Sequence, residues 1–195
     1  MGVTMIEQAE LDEHLKPIVD AGYEINPPGL VRLQGWNEIL LQIAQAKHFL
    51  AALRDTSSEL GDLGSLFTQS AYFLAFLTIY GKCFTGAGGH RITLDEKDAF
   101  RGKPDATRDG HARIMILRHT FAAHNSDSGL VATTMAAKTE GDTIMVKHIV
   151  TQAMPLGELP AFGAVLQALE DYVVLRLNSR LDKLEAHLEK KIVLD

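Results

Sequence analysis

The stretch Ile116 to Asn125, ILRHTFAAHN, sets an arginine, two histidines and an asparagine near the end of a segment that otherwise has the period of a buried helix. A guanidinium is permanently charged and presents a planar fork of donors that suits phosphate, and an imidazole exchanges a proton near neutral pH. Arg118 with His119 or His124 therefore has the parts that phosphodiester chemistry needs: one group to hold the phosphate and one to move a proton. At about 100° per residue, Arg118, Asn125 and His111 share one edge of the stripe Ile114, Leu117 and Phe121, while His124 borders the other edge. His119 points elsewhere. Both edges could face a groove or a partner helix. Spacing alone favours a structural role, because cations in the last turn of a helix meet its negative end and can bond its unpaired carbonyls.

The elements that carry these groups follow from the hydrophobic period. Thr4 to about Ala21 has a weak helical period and stops near Gly22, before NPPG, whose consecutive prolines break any helix. In WNEILLQIAQAKHFLAALRD, the residues Ile39, Ile43, Ala46, Leu50 and Leu53 recur at three- and four-residue steps, which predicts a helix opened by Trp36 with one apolar stripe. Leu66, Ser70, Phe73, Leu77 and Tyr80 repeat that spacing, and Leu74 and Phe76 widen the face, so this helix is expected at the centre of a bundle. The tetrad Gly86 to Gly89 ends it. A loop longer than most connections is expected from there to Pro104, and the helix bearing Arg118 starts near Asp105.

After Asn125 the pattern changes. GLVATTMAAK and TIMVKHIVTQAM favour strands and flank TEGD, where Gly141 can take a positive φ, so a β-hairpin is predicted over about residues 130–153. Leu166, Leu169, Val173, Leu177, Leu181, Leu184 and Leu188 predict a long final helix starting near Pro160. The expected fold class is mainly α: one domain over residues 1–195, a helical bundle with a β-hairpin inserted before a long C-terminal helix.

Composition narrows the function classes. With 195 residues and 46% hydrophobic content the chain can bury a sizeable core, and its net charge of −6 argues against generic coating of nucleic acid or anionic membrane. The single cysteine, Cys83, rules out an internal disulfide framework and fits a reducing cytosol. The opening MGVTMIEQAELDEHL lacks the basic-then-apolar pattern of a secretory signal, and AYFLAFLTIYGKCF is too short and interrupted to span a bilayer, so a cytoplasmic protein with no membrane partner is expected. Within this acidic chain, Arg101, Lys103, Arg108, Arg113 and Arg118 stand against Asp105 and Asp109. Arg108 and Arg113 are therefore candidate contacts to an RNA backbone, or members of an ordinary solvated face.

Other constellations point away from metals and cofactors, and none is expected. No HExxH arrangement occurs, and His119 and His124 are five apart, so they diverge on a helix. The glycines of FTGAGGHRI follow no strand and meet neither the dinucleotide nor the P-loop spacing. Cys83 beside Lys82 reads as a buried structural thiol, and the set Tyr72, Phe73, Phe76, Tyr80 and Phe84 reads as core. The long stripe from Leu166 to Leu188 leaves room for packing on a second copy.

LRHTFAAHN, preceded by a helix with YGKCF, by RITLDE and by GHARIMILRH, resembles the HEPN superfamily (higher eukaryotes and prokaryotes nucleotide-binding). The likeness is to bacterial members with an LRNKxxAH-like signature, an arginine with a polar follower and a histidine several positions on. Arg118, His119 and His124 take those places, and the likeness extends from about Trp36 to Asn125. His119 stands where asparagine is common, and no tyrosine follows His124 as it does in some toxin members. The resemblance implies a HEPN-like helical bundle that forms a homodimer, with two motifs meeting near the dimer axis in a composite site. It also implies metal-independent endoribonuclease activity that leaves a 2′,3′-cyclic phosphate. His124 would be the general base or acid for the 2′-hydroxyl, Arg118 would stabilise the charged phosphorane, and His119 would orient or assist. Asn125, His111, Arg113 and Arg108 would line the binding surface. The alternative is a non-catalytic HEPN-like dimer that binds a nucleotide, RNA or a protein partner.

Overall fold

The computed structural model describes residues 5–27, 29–56, 62–86, 92–122, 131–152 and 154–193. Among these the order is α1 (Met5–Asp20), α2 (Val31–Asp55), α3 (Leu63–Lys82), α4 (Glu96–Ala99) and α5 (Asp105–Leu117), followed by a π-turn (Arg118–Ala122). The hairpin strands β1 (Val131–Glu140) and β2 (Thr143–Gln152), a 3-10 turn (Leu156–Glu158) and α6 (Leu159–Leu188) complete it. The protein is mainly helical, with a small antiparallel hairpin before a long C-terminal helix.

The core forms where the apolar stripes of α2, α3, α5 and α6 meet. On α2, Ile39, Ile43, Ala46, Leu50 and Leu53 are all buried, as their spacing predicts. Phe76 of α3 stacks on Phe162 of α6 with centroids 5.9 Å apart, and Ile114 and Leu117 of α5 close the same cluster. Each such large side chain contributes roughly 1.5–3 kcal/mol on burial. α2 and α6 run antiparallel. Leu33 near the start of α2 packs on Leu177 and Leu184, whereas Lys47 further along reaches Gln167 at 2.9 Å and Glu170 at 2.5 Å. Trp36 lies well inside α2 instead of opening it, and meets Tyr172 edge to face at 6.4 Å. α5 approaches α6 closely because residue 110 is glycine: a Cβ there would lie 2.8 Å from Val165 Cγ2.

Two expectations change in the α3–α5 region. The connection expected as a loop contains α4, whose start is capped by Asp95 accepting from the Asp98 N–H at 2.9 Å, and it packs Leu94, Ala99 and Phe100 into the core. A four-residue helix is too short to show a period. On α3 the buried face is Gln69, Phe73, Phe76, Leu77 and Tyr80, while Ser70 is half-buried and Leu74 is 41% exposed. By length and composition α3, from Leu63 to Lys82, is also long and apolar enough to cross a membrane, with a mean hydropathy of 1.2 over 18 of its residues. The interrupted run from Ala71, too short by itself to span a bilayer, is only part of this helix.

The hairpin pairs Val131 with Gln152 through to Glu140 with Thr143, leaving a two-residue turn at Gly141 and Asp142. Gly141 has φ 58°, the left-handed value that a tight hairpin turn with glycine first requires. Every side chain described on the hairpin is exposed.

Candidate functional site

Arg118 sits at the junction of α5 and the π-turn. Its N–H is shared between the carbonyls of Ile114 and Met115, and the turn then widens through Phe121 and Ala122. Thr120 Oγ1 donates to Ile116 O at 3.0 Å, and Phe121 meets Phe73 edge to face at 5.3 Å, which fixes the turn against α3. Side chains on a helix lean toward its N-terminus. The long Arg118 side chain accordingly lies over α3 at Gly81, where a Cβ would come within 3.0 Å of its Nε, Cδ and Cζ. Gly81 is buried and Arg118 half-buried.

The surrounding charges distinguish Arg118 from its neighbours. Arg113 donates to Glu158 at 2.9 Å (Nε) and 3.0 Å (Nη2), and these hydrogen bonds to the carboxylate raise the guanidinium pKa further. Arg108 pairs with Asp105 and donates to Lys103 O at 2.9 Å, and Arg101 pairs with Asp98. Of the five cations read as a basic stretch, Lys103 and Arg118 alone have no carboxylate partner among the described residues. The sequence count had weighed Asp105 and Asp109 but not Asp98 or Glu158, which are adjacent in space.

The other candidate residues separate. His119 follows Arg118 in the π-turn and is exposed. His124 and Asn125 lie outside the described residues. His111 does not line an open edge: it is 2% exposed, with its ring 4.7 Å from both Phe84 and Phe100. Tyr80 Oη lies 2.6 Å from its Nδ1 and Glu96 Oε1 lies 3.3 Å from its Nε2. A carboxylate can only accept, so Nε2 carries the hydrogen and the Tyr80 hydroxyl donates to Nδ1. Burial pushes the His111 pKa below its ordinary value, against the opposing pull of Glu96. Burial likewise raises the Tyr80 phenol. His111 thus ties α4 to α3 and α5, and its partner Tyr80 directly precedes Gly81, the seat of Arg118.

Sequence reasoning missed Gly81 and the Tyr80–His111–Glu96 chain. A signal for the first was present: glycine inside a helix costs about 0.5–1 kcal/mol relative to alanine, so one in a core helix marks a close approach. Cys83 is fully buried, with Sγ 3.6 Å from Gln42 Oε1, and burial pushes its thiol pKa up to about 12. Among the described residues no group of three histidine, cysteine or acidic side chains is placed to hold a metal ion. Two surface cavities lie elsewhere, one of about 420 Å³ by Asn26 and Leu41, the other of about 460 Å³ between Lys47 and Pro160.

The chain matches no protein-family model, no curated protein and no solved structure. Its functional reading rests on its own residues.

Proposed function

We propose that this protein is a metal-independent endoribonuclease of HEPN type, acting as a homodimer, in which Arg118 holds the scissile phosphate. The observation that supports this is the state of one guanidinium. Arg118 is half-buried, pressed onto Gly81 and left without a carboxylate among the described residues, while Arg101, Arg108 and Arg113 are each paired. A cation held in place without a counter-charge favours an anion supplied from outside, and a planar fork of donors favours phosphate.

In this reading the 2′-hydroxyl oxygen attacks the adjacent phosphorus and the bond to the 5′-oxygen breaks. The products are a 2′,3′-cyclic phosphate and a 5′-hydroxyl, and one proton passes from the 2′-oxygen to the leaving 5′-oxygen. His124 takes that proton by resemblance, and His119, exposed beside Arg118, assists. Arg118 stabilises the charge that builds on the phosphorane.

The test is cleavage of mixed cellular RNA in EDTA by wild type, Arg118→Ala and His124→Ala, with the product ends mapped. The reading expects cyclic-phosphate ends from wild type and a loss of at least about 100-fold in either variant, the scale of a lost acid–base or charge-stabilising group. A folded dimer that binds RNA and never cleaves it overturns catalysis and leaves the binding role.

A further inference from the structure

We infer that the C-terminal half of α6 is a second RNA contact, a basic track in which Arg176, Arg180, Lys183 and His187 hold the phosphodiester backbone at a distance from Arg118. The track rests on the RNA reading above and lies on an element which that reading does not use.

It continues a core seam. At about 100° per residue, Phe162, Val165 and Leu169 fall within about 60° of one another on α6, and Arg176, Arg180, Lys183 and His187 fall in the same arc. The first three are buried in the core cluster with Ile114 and Leu117 of α5. Past Tyr172 the seam turns basic: Arg176, Lys183 and His187 are exposed and Arg180 is half-buried. α5 runs antiparallel to α6, with Gly110 against Val165 and Arg113 on Glu158, so its first residue, Asp105, ends level with about residue 170. Beyond that point α5 does not cover the seam.

Charge around this half of the helix is segregated. Its acids, Glu170, Asp171, Asp182 and Glu185, all lie at least about 80° from the track. A solvated helix face is stabilised by opposite charges three or four residues apart. Here those neighbours are Arg176 with Arg180, Arg180 with Lys183 and Lys183 with His187, and like charges at such spacing destabilise a helix. None of the four has a carboxylate partner among the described residues. The helix dipole does not account for them either, because its effect falls off within the last turn, where His187 is the one basic residue.

Arg180 adds an independent sign of an absent anion. Its Nε is buried with no hydrogen-bond partner. A cation drawn partly out of water, with neither acceptor nor counter-charge, favours an anion brought from outside. Arg176 lies over the Tyr172 ring, 5.1 Å from its centroid, and that ring meets Trp36 of α2, so the track is anchored where it begins.

Shape selects a strand. From Arg176 to His187 the row is about 16 Å long and one helix wide, room for about five phosphates of a strand spaced about 3.4 Å apart. A lipid surface calls for a broad basic face beside large apolar side chains. On its open side this row is bordered by Tyr172, Ser179 and Ala186, and beyond them lie Leu175 and then the acids. Arg118 is at the other end of the bundle. Arg113 is level with Glu158, and Arg176 lies about 27 Å further along α6, so a strand of roughly eight nucleotides or more is needed to reach both sites.

The test is titration, at several salt concentrations, of a labelled single-stranded RNA of about 30 nucleotides, 2′-O-methylated so that it is bound and not cut. Arg176→Gln/Arg180→Gln/Lys183→Gln should bind at least about ten-fold more weakly near 0.1 M salt. Its plot of log affinity against log salt should be flatter by about 2, since each phosphate contact on a single strand contributes about 0.7. Arg176→Gln with Lys183→Gln, both exposed, should flatten the plot by about 1.4 and decides the matter if the change at Arg180 disturbs folding. The same loss of charge at Arg54, Lys97 and Lys138 should leave the slope as it was. Track variants that match wild type in affinity and slope overturn the track and leave the Arg118 reading standing. Binding weakened by the track variants and indifferent to Arg118→Ala keeps the track and overturns that reading. A wild-type chain that binds no RNA, or that binds vesicles of acidic lipid instead, overturns both.

Discussion

Arg118 occupies the space that a side chain at position 81 would need. Gly81 belongs to α3 and Arg118 to the end of α5, so the absence of one Cβ positions the guanidinium. Gly81→Ala should therefore separate stability from function. Alanine is better than glycine in a helix by about 0.5–1 kcal/mol, and the atoms displaced are the far end of a flexible side chain, so the thermal midpoint should hold or rise. RNA affinity should fall about as far as in Arg118→Ala, and the double variant should be no weaker than either single one. Titration of a labelled RNA with the three variants checks this, and unchanged affinity in Gly81→Ala would remove the positioning role.

At Gly110 the balance has the opposite sign. A side chain there meets Val165 across the α5–α6 contact at a site with no room to relax, and overpacking of this kind costs typically 1–3 kcal/mol. Gly110→Leu should lower urea-unfolding stability by at least that much. Ala112→Leu, on the exposed side of the same helix, should be near neutral.

On the proposed ribonuclease reading, Arg113 and Arg118 should behave differently on RNA. The Arg113–Glu158 pair is 43% and 38% exposed, so solvent screens it and its loss costs at most about 1 kcal/mol of stability. With its guanidinium already engaged, Arg113→Ala should weaken RNA binding less than Arg118→Ala. Salt-dependent titrations of the two variants decide the point, and equal losses would mean that Glu158 releases Arg113 to the ligand.

His111 predicts a specific pH dependence. Its folded pKa is depressed by burial, so the unfolded chain takes up the proton first. The stability it contributes is complete above the ordinary imidazole value near 6.5 and is lost as pH falls through the depressed folded value. Unfolding free energy should therefore drop below about pH 6.5 in wild type, with a flatter profile over that window in His111→Gln. Urea melts at several pH values measure it, and identical slopes would show that His111 does not couple folding to protonation.

Much of the fold was legible in the order of residues. The buried stripe of α2, the hairpin with Gly141 at its turn and the run from Leu166 to Leu184 all follow from local periods, because the backbone geometry of a helix or strand sets which residues share a face whatever that face later packs against. The candidate arginine was legible for the same reason. α4 was not, since four residues hold no period, and the outer face of α3 was misjudged because an apolar residue such as Leu74 need not face the core.

Tertiary structure alone decided which charges pair across the fold and which imidazole is buried. Arg113 meets Glu158 across 45 positions of chain and Tyr80 meets His111 across 31, so neither partner is implied by spacing on its own helix. The sequence by itself determined which groups could do chemistry and on which elements they ride. Packing decided that Arg113 is engaged, that His111 is a clasp in the core, and that Arg118 rests on Gly81 with no carboxylate partner among the described residues, because pairing across the fold depends on distance in space and each helix fixes only its own face.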